Sequence, residues 1–262
     1  MLAGSICLRL LKSLSSLIVA LKPFLSLIIP AYNEERRLPQ TLEQVFAFLE
    51  KQTYSFEVLV VENGSNDHTL QVAQTFAKGH PALRPIQQTE RGKGGAVLRG
   101  IREAHGEYLF ICDADLSMPI VEINKFLPPT LSQADIAIGS REAPGAVRYN
   151  EPMYRHLTGR VFNMLIRAMV LPRLQDTQCG FKCMRADVAR EICRYQTLSG
   201  WAFDVELLYI AHRLGYQIVE IPIHWYFNAD SKVRILRDAW RMFVDLLVIR
   251  RNAWQGRYER RP

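Results

Sequence analysis

From Phe24 onward, short runs rich in Leu, Ile and Val alternate with longer stretches whose apolar residues recur every three or four positions. Runs at residues 25–29, 56–61, 84–87, 107–112 and 135–138 read as strands, and the stretches at 34–51, 67–78 and 93–104 as helices of period 3.6. The strand runs are apolar nearly throughout instead of alternating, as happens when helices cover both faces of a sheet. Regular succession of strand and helix therefore predicts an α/β fold on a mainly parallel, Rossmann-like sheet. After Arg141 the pattern loosens into a loop, a helix around 153–170, a segment at 176–184 that fits strand or loop, a helix at 203–214, a strand at 217–221 and a long helix after Lys232.

The two ends read differently from the middle. Three parts are expected: an amphipathic segment at 1–22, one catalytic-sized domain at 23–231, and a basic amphipathic helix and tail at 232–262. Residues 6–21 are apolar, but Arg9 and Lys12 interrupt them and they fall short of the roughly 20 residues of a spanning helix. On a helix, Cys7, Leu10, Leu11, Leu14, Leu17, Ile18 and Leu21 share one face, which suits a helix lying in a membrane interface or packed on the domain. A signal peptide is the alternative, and no small-x-small cleavage site precedes Pro23. In the last helix Arg234, Arg237, Asp238, Arg241 and Asp245 fall within about 100° of arc, leaving an apolar arc of roughly 200°. One flank, with Val233, Leu236, Trp240, Phe243 and Leu247, would cover the domain while Ile235, Met242, Leu246 and Ile249 face lipid, or the reverse. Burial of both flanks is the third arrangement. Arg250, Arg251, Arg257, Arg260 and Arg261 suit acidic headgroups.

A formal charge of +7 and a pI near 9.3 over 262 residues call for an anionic partner: phosphorylated substrate, acidic membrane or nucleic acid. Nucleic acid is the poorest fit, because the basic residues are not interleaved with aromatics and acidic pairs stand at the strand ends. Cys7, Cys112, Cys179, Cys183 and Cys193 show no C-x-x-C spacing, so neither a zinc site nor a disulfide framework is indicated.

Ligands of such sheets sit at the carboxyl ends of the strands. Here those ends read Pro30-Ala31-Tyr32-Asn33-Glu34, Glu62-Asn63-Gly64-Ser65, Asp113-Ala114-Asp115 and Gly139-Ser140-Arg141. Asp113 and Asp115, two positions apart, can share one cation, and oxygen ligands alone suit Mg²⁺ or Mn²⁺; a solvated turn is the plain alternative. Lys93, in RGKGG, is either a phosphate contact or a solvated charge. Neither a P-loop nor a G-x-G-x-x-G dehydrogenase fingerprint is present. Asp204 and Glu206 lie about 200° apart on a helix, so only one points into a site, and Asp204 in the first turn is the choice. Asp176 either caps a turn or reaches the site. Ser231 and Lys232 open the last helix, either as a simple cap or where a donor diphosphate would find N–H groups, a hydroxyl and an ammonium.

IIPAYNEERRLP, VVENGSNDHT, RGKGGAVLRGI and CDADLS, in this order and spacing, resemble the family 2 glycosyltransferases of GT-A fold. DTQCGFK at 176–182 and WAFDVELLYIA at 201–211 are similar to the dolichyl-phosphate and polyprenyl-phosphate branch. The resemblance, running from about Phe24 to Arg251, implies that Pro30, Tyr32 and Glu34 border the base and ribose, and that Asp113 and Asp115 hold ribose and metal. It places Arg141 near the lipid phosphate and the Asp176 loop against the acceptor. Relatives commonly carry paired aspartates where Glu62-Asn63 stand; Glu62 would then accept the imide N–H of a uracil or guanine. The implied activity is an inverting transfer of a hexose, glucose from UDP-glucose, to a polyprenyl or dolichyl phosphate. A GDP-mannose donor and a polysaccharide acceptor are the alternatives. The enzyme would be attached peripherally at the cytoplasmic face of a membrane.

Overall fold

The computed structural model describes residues 22–228 and 235–260, with the backbone alone for 235–239. The first half builds β1 (Leu25–Ala31), α1 (Leu38–Leu49), β2 (Phe56–Asn63), α2 (Thr69–Ala77), β3 (Leu83–Gln88), α3 (Lys93–Glu103) and β4 (Tyr108–Ile111). Two short 3-10 segments, Ile120–Phe126 and Thr130–Ser132, precede β5 (Ile136–Ser140), β6 (Val147–Tyr149), α4 (Met153–Met169), β7 (Lys182–Arg185) and α5 (Ala186–Ile192). The described chain ends with α6 (Phe203–Arg213), β8 (Ile218–Pro222), β9 (His224–Tyr226) and α7 (Ile235–Trp254). Seven strands form one sheet in the order β3-β2-β1-β4-β7-β5-β8, and β6 pairs with β9 beside it. All pairs in the large sheet are parallel except those of β7, which runs antiparallel to both β4 and β5.

Both faces of the central strands are covered. Leu27, Ile29, Val58, Val60 and Phe110 pack with Leu42, Val45 and Phe46 of α1. The intervening Ile28, Leu59, Val61, Leu109 and Ile111 meet a second core that includes Ala96, Val97 and Ile101 of α3 and Leu207 and Ile210 of α6. Each such burial contributes roughly 1.5–3 kcal/mol, and slipping a strand by one residue would exchange the two sets, so the register is firmly fixed.

Three expectations needed adjustment. The first helix begins at Leu38, with a proline in its opening turn, because residues 32–37 are held in a loop instead. Of the ambiguous segment at 176–184 only Lys182–Arg185 is strand, and the fully buried Lys182 explains why no apolar run marked it. In α7 the second of the two orientations holds: Met242, Leu246 and Ile249 are buried on the domain, while Trp240, Val244 and Leu247 are exposed. Residues 1–21, Ser231 and Lys232, with the roles expected of them, lie outside the described residues. Among the described residues no helix is long and apolar enough to cross a bilayer.

Candidate active site

A cleft of about 640 Å³ opens over the carboxyl ends of β1, β2, β4 and β5. At its centre stands Asp113, one residue past the apolar run of β4 and Cys112. Lys93, the first residue of α3, brings its Nζ to 2.6 Å from Asp113 Oδ1. Burial alone would lower the lysine's pKa, but the charges of Asp113, Asp204 and Asp115 outweigh it and hold the pKa above its ordinary value, so the side chain is an ammonium. Gly180 presses on the other carboxylate oxygen: a Cβ there would stand 2.0 Å from Asp113 Oδ2. Only glycine lets the 176–182 segment come this close, and that contact restricts where the carboxylate can turn. Asp115 lines the same cleft, its Oδ1 accepting the Ser117 N–H at 2.9 Å in a turn that carries Leu116 at φ 45.

The donor set here is two carboxylates with hard oxygens, which suits Mg²⁺ or Mn²⁺. Among the described residues no three His, Cys, Asp or Glu side chains converge as a metal cage. A cation at Asp113 and Asp115 would therefore complete its shell with phosphate oxygens and water, as Mg²⁺ commonly does beside nucleotides.

Arg141 follows β5 and is gripped by Asp176. Its Nε and Nη2 donate to the two carboxylate oxygens at 2.7 and 2.9 Å, and its backbone N–H donates to Oδ2 at 3.0 Å. Glu220 of β8 anchors the aspartate in turn, accepting the backbone N–H groups of Gln175 and Asp176 at 2.9 Å each. Burial would raise the Asp176 pKa, yet the Arg141 charge and hydrogen bonds bring it down to about 2. The guanidinium also lies over the Trp225 ring, 5.5 Å from its centroid. Of the later arginines, Arg148 is tied to Glu142 and Glu151, Arg160 is on the surface, and Arg155 lines the cleft over Phe227.

Towards β1, Pro30, Tyr32 and Glu34 line the cleft, and Arg91 lies 5.3 Å from the Tyr32 ring centroid. The loops after β1 and β2 are knitted together: Asn33 N–H donates to Ser65 Oγ, and Asn66 N–H to Asn33 Oδ1, at 3.0 and 2.9 Å. Glu62 sits behind the cleft. It is buried and does not line the cleft, and its Oε1 accepts the Ser65 backbone N–H, so one of its two oxygens serves the turn. The neighbouring Asn63 lines the cleft instead, with Oδ1 accepting the Gly92 N–H at 3.0 Å. Gly92 has φ 148, and a Cβ there would meet Ser199 O at 2.4 Å.

On α6, Asp204 lines the cleft and Glu206 is turned wholly into the protein, as their angular separation requires. Asp204 is paired from below by Lys182, whose Nζ lies 2.6 Å from Oδ1. Sequence reasoning did not single out Arg91, Asn63, Lys182, Trp201 or Trp225. Arg91 and Trp201 stand at the margins of two quoted motifs, whereas a fully buried lysine runs against the usual reading of lysine as surface.

Carboxylates, a held ammonium and an arginine–tyrosine stack are gathered where parallel strands end, the place where the ligands of such α/β enzymes sit. The profile of glycosyl transferase family 2 matches residues 26–193. The chain belongs to that family and is a glycosyltransferase of GT-A fold. It is 36% identical over 253 residues to the dolichyl-phosphate beta-glucosyltransferase of Drosophila melanogaster, covering 88% of this chain and 77% of that one. The human dolichyl-phosphate beta-glucosyltransferase is 35% identical over 241 residues, covering 86% and 74%. Among solved structures, glucosyl-3-phosphoglycerate synthase from Mycobacterium tuberculosis, in complex with Mn²⁺ and UDP-glucose, superposes with a TM-score of 0.64 at 19% identity, over 87% of this chain and 79% of that one.

Proposed function

We propose that this glycosyltransferase moves glucose from UDP-glucose onto the phosphate of dolichol or a related polyprenol, with Mg²⁺ or Mn²⁺, while bound peripherally at the cytoplasmic face of a membrane. The observation that carries the reading is that one cleft gathers two groups of residues suited to the two halves of such a reaction. Tyr32, Arg91, Lys93, Asp113 and Asp115 lie towards β1 and β4, and Arg141, Arg155, Trp225 and Phe227 towards β5. The names of the sequence relatives support the acceptor and sugar; the Mn²⁺ and UDP-glucose complex of the structural neighbour supports donor and metal.

The chemistry follows from charge. A phosphate monoester has its second pKa near ~6, so the acceptor is largely a dianion at neutral pH and needs no strong base. One of its oxygens attacks the anomeric carbon as the bond from that carbon to the nucleotide's β-phosphate oxygen breaks, with inversion, and the nucleoside diphosphate leaves. A cation at Asp113 and Asp115 would supply Lewis-acid stabilisation of the departing diphosphate. Lys93, already drawn into the cleft by Asp113, adds positive charge on the same side. Asp176 takes two of the five guanidinium donors and fixes the plane of Arg141, which presents the rest to the acceptor phosphate. Asp204, held by Lys182, borders the place of the sugar.

The membrane part rests on α4 and α7. Thr158, Gly159 and Phe162 of α4 line the cleft, while Met153, Tyr154, Leu157, Val161 and Met164 of the same helix are 56–82% exposed. Trp240 and Leu247 of the neighbouring α7 are exposed as well, as are Arg160 and Arg167 of α4 and Arg250 and Arg251 of α7. An apolar stripe of this length edged with arginines fits an acidic bilayer.

The test is a panel of labelled nucleotide sugars given with Mg²⁺ and polyprenyl phosphate. UDP-glucose is expected to yield label in an organic-extractable, mild-acid-labile product. Preference for GDP-mannose, or label passing to 3-phosphoglycerate or an oligosaccharide instead of the lipid, would overturn the assignment.

A further inference from the structure

Glu206 is wholly buried, and it does not line the cleft. Its Oε2 accepts the backbone N–H groups of Thr197 and Leu198 at 3.0 and 2.7 Å, and its Oε1 accepts the hydroxyls of Thr197 and, at 2.7 Å, Tyr258. A carboxylate buried among neutral donors is costly unless each bond is well made. Packing alone would be served better by an apolar side chain, so the bonds themselves are what this position supplies.

They hold a loop that reaches the cleft. The chain turns at 197–201, and Ser199 O accepts the Gly94 N–H at 2.9 Å, pinning the first turn of α3. Trp201 and Phe203, which follow, place their rings 5.8 and 5.9 Å from Lys93 Nζ. Lys93 in turn sits on Asp113. From the other side, the C-terminal segment joins the same knot: Asn252 of α7 donates to Thr197 Oγ1 and to the Tyr258 hydroxyl, both at 3.1 Å. Burial, and then the bond to Glu206, push the Tyr258 pKa up, so the phenol keeps its proton and remains a donor.

We infer that Glu206 is a positioning residue for the nucleotide-sugar subsite, and that Tyr258 and Asn252 make the C-terminal helix part of what holds Lys93 in place. The inference rests on the reading that Lys93 and Asp113 meet the donor diphosphate. It extends that reading by giving Asn252 and Tyr258, which do not line the cleft, a share in donor affinity.

The experiment measures KM for UDP-glucose and for polyprenyl phosphate, with melting temperatures, for Tyr258→Phe, Thr197→Val, Lys93→Met and the Tyr258→Phe/Lys93→Met pair. Tyr258→Phe keeps the ring and removes one bond to a charged group, so the donor KM should rise about tenfold while the acceptor KM holds. Thr197→Val, which removes the hydroxyl bond from the loop to the same carboxylate, should act alike if Tyr258→Phe fails to fold. In the Lys93→Met background, Tyr258→Phe should add nothing further. A lowered melting temperature with donor KM unchanged, or effects that multiply in the pair, would reduce Glu206 to a stability element. If Lys93→Met itself leaves donor KM unaltered, the donor-site reading falls, and this inference with it.

Discussion

Gly180→Ala tests the central geometry of the cleft with a single methyl group. The glycine's φ lies outside the left-handed region, so alanine brings no backbone strain of its own. Its Cβ would nevertheless stand 2.0 Å from Asp113 Oδ2 and 2.5 Å from Cγ, where ordinary contact begins at 3.4 Å. Either the carboxylate or the 176–182 segment must give by the difference, about 1.4 Å. A misplacement of about 1 Å in a catalytic constellation costs on the order of a hundredfold in rate. The segment is anchored through Asp176 to Arg141 and Glu220, so Asp113 is the side that yields, and its bond to Lys93 goes with it. The assay is kcat for glucosyl transfer from UDP-glucose, with Mn²⁺ affinity followed by electron paramagnetic resonance. A drop in kcat of about a hundredfold together with weakened Mn²⁺ binding is expected. A Gly180→Ala enzyme within threefold of the parent on both readouts would show that Asp113's placement does not matter to the reaction, and the reasoning would fail.

Three other outcomes follow from the same site. Asp176 has a folded pKa held near 2, below its unfolded value, so it adds about 2 kcal/mol of stability at neutral pH, lost as pH falls from the ordinary carboxylate range through about 2. Asp176→Asn should therefore narrow its stability gap to the parent between pH 5 and pH 2 in urea melts, and a constant gap would contradict the pairing. Removing divalent ions with EDTA should abolish turnover and Mn²⁺ should restore it; activity that survives chelation would exclude a cation at Asp113 and Asp115. Replacing Leu157, Val161 and Met164 with serine should cut flotation with acidic liposomes yet leave kcat on a water-soluble short-chain prenyl phosphate near parent values, and undiminished flotation would remove α4 from the membrane surface.

What was legible in the sequence was what burial imposes on a pattern. Strands covered on both faces must be apolar throughout, which is why β1, β2, β4 and β5 stood out, and strand ends in such sheets carry the chemistry, which is why Asp113, Asp115 and Arg141 did. Helical geometry separated Asp204 from Glu206 before any coordinates. What stayed hidden depended on partners distant in the chain. Lys182 breaks the pattern of β7 because Asp204, 22 positions later, neutralises it. Glu62 is captured by its own turn, a local competition that its motif does not reveal. Both flanks of α7 are apolar, so its orientation waited on which one the domain could cover. Arg141 was read as a phosphate ligand without the aspartate, 35 positions on, that aims it.

The single antiparallel strand shapes the reaction space. Neighbouring strands lie about 4.8 Å apart, so inserting β7 sets the ends of β4 and β5 roughly 10 Å from each other. That span separates Asp113 and Asp115 from the Arg141 guanidinium, the two groups proposed above to serve donor and acceptor. Because β7 runs backwards, its leading end arrives in this gap, delivering Asp176 to Arg141 on one side and Gly180 to Asp113 on the other. Were β7 parallel to its neighbours, the spacing would be the same, but that connection would enter the sheet at the opposite rim.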